Sequence, residues 1–176
     1  STLDLGWAMY DPGPEWPGLR PLSALAALSQ SGGRGQLRRP WNSPPGNLYA
    51  SLAWPGDVRT EPGGPLAPGM TSLAVGLAVS RALERFGFHA EMKWPNDLLL
   101  NGRKVAGVLV ESRGERILAG IGVNLKSAPV ALQLRAGHST KAACTEDFGP
   151  APGPASLLLA IQEEAGRVAE LYGREL

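Results

Sequence analysis

Three short segments carry the residue types that chemistry needs. The first is Ser31-Gly32-Gly33-Arg34-Gly35-Gln36-Leu37-Arg38-Arg39-Pro40-Trp41. Glycines let backbone N–H groups approach an anion and arginine forks pair with phosphate, while Trp41 suits stacking on a base. The same residues also fit a surface loop with solvated arginines. The segment is neither a P-loop, since it lacks G-x-x-x-x-G-K-[ST], nor a dinucleotide fingerprint. The second is Lys93-Trp94-Pro95-Asn96-Asp97, followed by Asn101-Gly102-Arg103-Lys104-Val105-Ala106-Gly107. Lys, Asn and Asp around a rigid proline suit a polar site on a stiff scaffold. Alternatively, Asn96 and Asp97 only turn the chain and Lys104 is a solvated edge residue. Which way Lys104 points depends on strand register alone. The third is Gly120-Ile121-Gly122-Val123-Asn124, where glycines inside a strand mark a bulge, tight sheet packing or close approach of a ligand. Asn124 either bonds a phosphate or ends the strand.

Other candidates carry less. His89 and His138 have no acidic partner at a telling spacing and read as ordinary histidines. Cys144 lies in a polar stretch without a catalytic context, and Gly166 reads as a packing notch in a helix. There is no G-x-S-x-G motif and no metal-ligand cluster.

These segments need elements to position them. Residues 20–29 fit a short helix or a buried strand, and periodicity does not decide. Residues 47–54 read as a strand with Leu48, Ala50 and Leu52 on one side. The pattern over 70–86 predicts a helix capped by Thr71 or Ser72, with Leu73, Leu77, Ser80, Ala82, Leu83 and Phe86 on a near-3.6 repeat, stopped by Gly87. Residues 89–94 read as a strand ending at Pro95. Asn101-Gly102 between the apolar runs 97–100 and 103–111 is a hairpin signal, because a type I′ turn needs φ > 0 at both central residues. A turn at Ser112-Arg113-Gly114 leads to a strand over 115–124. Residues 155–172, introduced by Pro154, form an amphipathic helix with Leu157, Leu158, Ile161, Ala165, Val168 and Leu171 as its buried stripe. The whole predicts an α+β fold, a mixed or antiparallel sheet with helices packed on one face.

Composition bounds the answer. The 176 residues suit a single domain. Gly (23) and Pro (16) make about 22% of the chain, well above the average of about 12% yet short of low complexity. They concentrate in 11–18, 32–46, 55–69 and 149–154, which read as loops. The formal net charge of +1 argues against a global basic field for nucleic acid. A single cysteine fits a reducing compartment, so a cytoplasmic location is expected. No apolar run reaches the length of a membrane span.

Taken in order and spacing, the three segments resemble the catalytic domain of biotin protein ligases, in the biotin/lipoate protein ligase family. Gln30 to Trp41, then SPPGNLYAS, resembles the family's glycine-arginine loop and following strand. KWPNDLLLNGRKVAGVLVE (Lys93 to Glu111) resembles its most diagnostic block, GIGVN its third, and Ser1-Thr2 the start of its Ser-Thr-Asn motif. The resemblance implies a ligase that makes biotinyl-5′-AMP from biotin and MgATP, then transfers biotin to a lysine of a biotin carboxyl carrier protein. It implies Lys104 and Arg34 as catalytic residues, Lys104 stabilising charge between the biotin carboxylate and the α-phosphate and Arg34 closing the loop. Biotin would meet Ser1, Thr2, Gln30, Gly33, Arg34, Gly35, Lys104, Gly107 and Gly122. The nucleotide would meet Arg34, Gln36, Arg39, Trp41, Asn96, Lys104 and Asn124, with Trp41 on the adenine side. Lys93 and Asp97 would support the site, Asp97 near the attacking lysine or the metal. ATP with Mg2+ is expected as co-substrate and biotin as substrate, with no tightly bound protein metal.

The chain departs from the family pattern at Gln36, where many members carry arginine, at Arg38, where many carry glycine, and at Leu3, in place of the motif's Asn. Weaker retention of the adenylate and one lost polar biotin contact are the expected effects. The expected organisation is one catalytic domain over 1–176, without an N-terminal DNA-binding domain or a C-terminal β-barrel domain. Neither DNA nor membrane is expected as a partner, and a homodimer is plausible. The alternatives are a lipoate or octanoate ligase, and a non-catalytic biotin- or adenylate-binding module.

Overall fold

The strand expected over 47–54 runs from Leu48 to Trp54 as β2 and sits inside a six-stranded sheet. The computed structural model describes residues 1–10, 18–55, 59–61, 64–65, 68–114, 116–129 and 140–174. Most of the loop expected over 11–18, parts of that over 55–69, and His138 lie outside the described residues.

In chain order the elements are α1 (Thr2–Tyr10), β1 (Ala24–Ala27), β2, β3 (Arg59–Glu61), β4 (Gly64–Pro65), α2 (Pro68–Glu84), β5 (Glu91–Lys93), β6 (Asp97–Leu100), β7 (Arg103–Arg113), β8 (Arg116–Val123) and α3 (Pro154–Arg174). The main sheet has the order β1-β2-β8-β7-β6-β5, and every pairing in it is antiparallel. β3 and β4 pair as a small separate ribbon in the segment expected to be plain loop.

All seven residues of β2 are buried, because the strand is paired on both sides and covered on both faces. Leu48, Ala50, Leu52 and Trp54 face the main core with Ala119, Ile121 and Val123 of β8. That core is closed by Val75, Val79 and Leu83 of α2 and by Leu157, Ile161 and Val168 of α3. Deleting one of these fully buried leucines to alanine costs about 2–5 kcal/mol. The opposite face carries a smaller cluster, Leu3 and Trp7 of α1 against Leu118 of β8. Thus α2 and α3 share one face as expected, and α1, a helix absent from the sequence reading, covers part of the other. Leu3 is 3% exposed and rests on Gly120, where a Cβ would stand 2.7 Å from its side chain.

The Asn101-Gly102 turn forms as expected, with φ of 48° and 71°, and joins β6 to β7. Several boundaries differ. Helix α2 begins at Pro68, so Thr71 and Ser72 lie within it, buried, rather than capping it. Ser112 and Arg113 belong to β7, leaving Gly114 (φ 58°) in the turn. The ambiguous 20–29 segment contributes the short edge strand β1, only partly buried. Leu171, expected in the α3 stripe, is 49% exposed. Among the described residues no helix is long and apolar enough to cross a membrane.

Candidate active site on the glycine-lined face

Lys104 faces the sheet side that carries α1, and a β-bulge puts it there. Asp97 pairs with Gly107 and Leu98 with Ala106, but Leu99 pairs with Lys104, so Val105 is the extra residue. Val105 and Ala106 both turn into the main core, fully buried. Simple alternation from Gly107 would send Lys104 the same way. The added residue reverses it, which is what a bulge does to side-chain direction. Lys104 Nζ then lies 2.5 Å from Asp97 Oδ1, with the two side chains 25% and 19% exposed. The backbone is clamped where the bulge occurs. Lys104 N–H donates to Lys141 O and Lys104 O accepts from Ala143 N–H, both at 2.8 Å. Asn124 N–H donates to Val105 O at 2.8 Å.

Gly107 and Gly122 sit opposite one another across β7 and β8, and the Trp41 indole lies over both. A Cβ on Gly122 would stand 2.7 Å from the indole, and one on Gly107 3.0 Å from it. A side chain at Gly122 would force the indole to move, and one at Gly107 would crowd it. The expectation was a bare backbone reached by ligand; in this structure the indole covers it. Lys104 Nζ is 5.2 Å from a Trp41 ring centroid, within cation–π range. Trp41 Nε1 is buried and has no hydrogen-bond partner among the described residues, a state that costs free energy unless a ligand or water supplies the acceptor.

The glycine loop is a tight ladder. Trp41 N–H donates to Gly33 O at 2.9 Å and Gly35 N–H to Arg39 O at 2.7 Å, with Arg34 bridged to Pro40 between them. A 3-10 turn, Gln36–Arg38, closes the tip. Leu37 in that turn has φ 56° and is 84% exposed. Gln36 and Arg39 are exposed at the tip. Arg34, expected to close the loop over the ligand, pairs with two carboxylates. Its Nη2 lies 2.8 Å from Asp4 Oδ1 and 3.2 Å from Glu111 Oε1, because alternation along the ladder sends its side chain toward α1.

A polar relay runs from α1 to Trp41. Thr2 N–H and Oγ1 both donate to Gln30 Oε1, at 2.8 and 3.2 Å. Gln30 Nε2 donates to Ser43 Oγ at 3.0 Å, and Ser43 Oγ donates to Trp41 O at 3.1 Å. Gly33 packs against the same group, and a Cβ there would collide with Trp41 O and Ser43 Oγ. Ser1 Oγ bonds Asp4 Oδ2 at 2.7 Å at the start of α1. That hydroxyl bond leads the effects that hold the Asp4 carboxyl below its ordinary range; desolvation opposes it and the Arg34 charge adds a smaller lowering.

The other expected site residues serve the frame. Asn96 Nδ2 donates to Val108 O at 3.1 Å and Asn96 O accepts from Val108 N–H at 2.9 Å, fastening the β5–β6 turn to β7. Asn124, 2% exposed, donates to Ala143 O at 3.1 Å. Lys93 Nζ donates to Thr140 Oγ1. The structure therefore gathers Asp97, Lys104, Gly107, Gly122 and Trp41 at one place and links Thr2, Gln30 and Gly33 to them. It leaves Gln36, Arg39 and the side chains of Arg34 and Lys93 otherwise engaged or exposed.

Sequence reasoning gave no individual role to Ser43, Asp4, Glu111 or Asn47. Asn47 Oδ1 accepts from the N–H groups of Leu125, Lys126 and Ser127 at 2.9, 2.9 and 3.2 Å. An Asn before a strand is the one local signal, and it does not disclose a partner about eighty residues away. Among the described residues no group of three or more His, Cys, Asp or Glu could hold a metal ion.

The sheet with its glycine loop and lysine-bearing strand is the catalytic fold of biotin protein ligases. The Leishmania major biotin protein ligase in complex with biotinyl-5-AMP superimposes with a TM-score of 0.76 at 28% identity, over 99% of this chain and 75% of that one. Residues 18–127 match the model of the biotin/lipoate A/B protein ligase family, and the chain belongs to that family. The biotin–[acetyl-CoA-carboxylase] ligase of Paracoccus denitrificans is 37% identical over 150 residues, 81% of this chain and 60% of that protein. The bifunctional ligase/repressor BirA of Salmonella typhimurium is 41% identical over 114 residues, 61% of this chain and 34% of that protein. The chain thus spans 60% of the length of the Paracoccus relative and 34% of that of the Salmonella relative.

Proposed function

We propose that this chain is a biotin protein ligase. The observation that carries the proposal is the Lys104–Asp97 pair at 2.5 Å beside the Gly107–Gly122 floor, on a fold shared with a ligase holding biotinyl-5-AMP. In the first step the biotin carboxylate attacks the α-phosphorus of MgATP and pyrophosphate leaves, the metal travelling with the triphosphate. In the second, a lysine amine of the biotin carboxyl carrier protein attacks the acyl carbon and AMP leaves.

Both steps gather negative charge on oxygens, and a half-buried ammonium opposes it. Lys104 stabilises that charge without a covalent bond, the kind of electrostatic aid that is strongest in a partly dry site. Asp97 holds Lys104 oriented before ligand arrives and stands beside it to steer the incoming amine. Thr2 and Gln30, already bonded to each other, offer a donor–acceptor pair to a polar ring. The mixed anhydride is destroyed by water, and the glycine loop with Trp41 supplies the cover that excludes it.

The test is incubation with biotin, MgATP and a carrier domain, followed by pyrophosphate release and the mass of the carrier. Biotin-dependent pyrophosphate and a biotinylated carrier are expected, with little of either from K104A. Absence of both in the folded wild-type chain overturns the proposal. Parallel arms with lipoate and octanoate separate the related ligase reading, and tight biotin binding without pyrophosphate marks a binding module.

A further inference from the structure

The proposed reaction leaves Glu111 unused, yet this carboxylate joins three segments. Gly107, Leu109 and Glu111 alternate along β7 on one face, which places Glu111 about 13 Å along the strand from Gly107. Its Oε2 accepts from Trp7 Nε1 at 2.7 Å, and its Oε1 meets Arg34 Nη2 at 3.2 Å. The same Arg34 nitrogen reaches Asp4 Oδ1 at 2.8 Å. Trp7 is held from another side by Arg113, whose guanidinium carbon lies 4.3 Å from a ring centroid. One carboxylate therefore ties α1, the glycine loop and β7 together.

The three partners differ in rigidity. β7 is paired to β6 and to β8, so Glu111 is the fixed point. The loop's ladder bonds, Gly33 with Trp41 and Gly35 with Arg39, are internal to it. They shape the loop but do not locate it on the sheet. Helix α1 brings Thr2 to Gln30, and its far side is fastened by Trp7 to the same Glu111. Both halves of the Thr2–Gln30–Gly33 cluster are thus tied to β7 through this group, in addition to the packing of Leu3 and Trp41 on the sheet. The two oxygens have different donors, so a glutamine amide, which keeps one acceptor and loses the charge, cannot serve both.

We infer that Glu111 is a positioning residue of the site, and that Arg34 serves the reaction by anchoring the glycine loop to β7 through Glu111 instead of by contact of its guanidinium with the ligand. This rests on the ligase reading above for its kinetic consequence, but not for its structural one.

The experiment compares wild type, E111Q, R34Q, R34K and the double variant E111Q/R34Q. In biotin-dependent pyrophosphate release, E111Q and R34Q each raise the KM for biotin by about fivefold, the scale of a partly exposed ion pair with a charge-assisted bond, with kcat little changed. The double variant loses less than the two single losses combined, because both remove the shared Glu111–Arg34 link. R34K, which keeps the charge, recovers part of the loss. Without ligand, tryptic cleavage after Arg38 is faster in E111Q and R34Q than in wild type. That readout remains if the wild-type chain has no ligase activity, so the two failures are distinguishable. Arg34 is 41% exposed in its side chain, so R34Q is the variant that keeps the fold should E111Q lose it. The inference is overturned if R34Q impairs biotin use while E111Q does not, if the two losses add, or if cleavage after Arg38 is unchanged in both.

Discussion

Lys104 and Asp97 meet at 2.5 Å only because Val105 is an extra residue between two strands. Without it the ammonium would point into an apolar core beside Leu98 and Val108, where burial of an unpaired charge is prohibitive. The bulge thus both avoids a buried charge and creates the site's central pair.

Removing the ammonium leaves the Asp97 carboxylate unopposed where negative ligands must bind. K104A is expected to lower biotin-dependent pyrophosphate release by about 100- to 1000-fold, the range for loss of one pre-organised electrostatic group. K104R keeps the charge with a different shape and retains more activity. Circular dichroism that matches wild type makes the comparison valid.

The Gly122 position is filled by Trp41, so a methyl group has no room. G122A is expected to lower stability by about 1–3 kcal/mol through overpacking, read from urea unfolding. In the background of W41A the same change costs about 1 kcal/mol less, as expected for two residues in contact. An equal cost in both backgrounds contradicts the packing described.

Asn47 holds three successive backbone N–H groups with one oxygen, and its amide donates to Ser127 O at 2.9 Å. Replacing it by alanine leaves buried donors unpaired at the end of β8. N47A is expected to cost about 2–3 kcal/mol. N47D, which keeps the acceptor, loses less in the same denaturant titration.

Cys144 is buried, and its Sγ donates to Asp147 Oδ1 at 3.4 Å. Burial first, then the Asp147 carboxylate, push the thiol above its ordinary range. Native protein at neutral pH is expected to react with a maleimide at least about tenfold more slowly than denatured protein. The unfolded thiol ionises first, so this group's contribution is full below the ordinary thiol pKa and is lost as pH rises through the raised native value. C144S, which has no such ionisation, flattens that alkaline decline.

Much of the frame was legible because its signals are local. Asn101-Gly102 needs two positive φ angles and names its own turn. The α3 stripe of Leu157, Ile161, Ala165 and Val168 repeats at helical spacing and is buried. Helix α1 was not legible, since Trp7 and Leu3 find their cover on β8, more than a hundred residues away. Leu171 fits the α3 stripe by spacing yet is half exposed in the fold.

Residue types and their order were enough to tell which chemistry is present: a glycine-arginine loop, a lysine after a hairpin, a strand glycine pair and a tryptophan. Tertiary structure alone decided where those groups point. Side-chain direction in a strand is set by pairing, and one bulge residue opposite Leu98 and Leu99 turned Lys104 from the core to the site. In the same way, Arg34 follows the alternation of its ladder to Glu111 and Asp4. Both outcomes depend on partners distant in the chain, and spacing along the sequence carries no record of them.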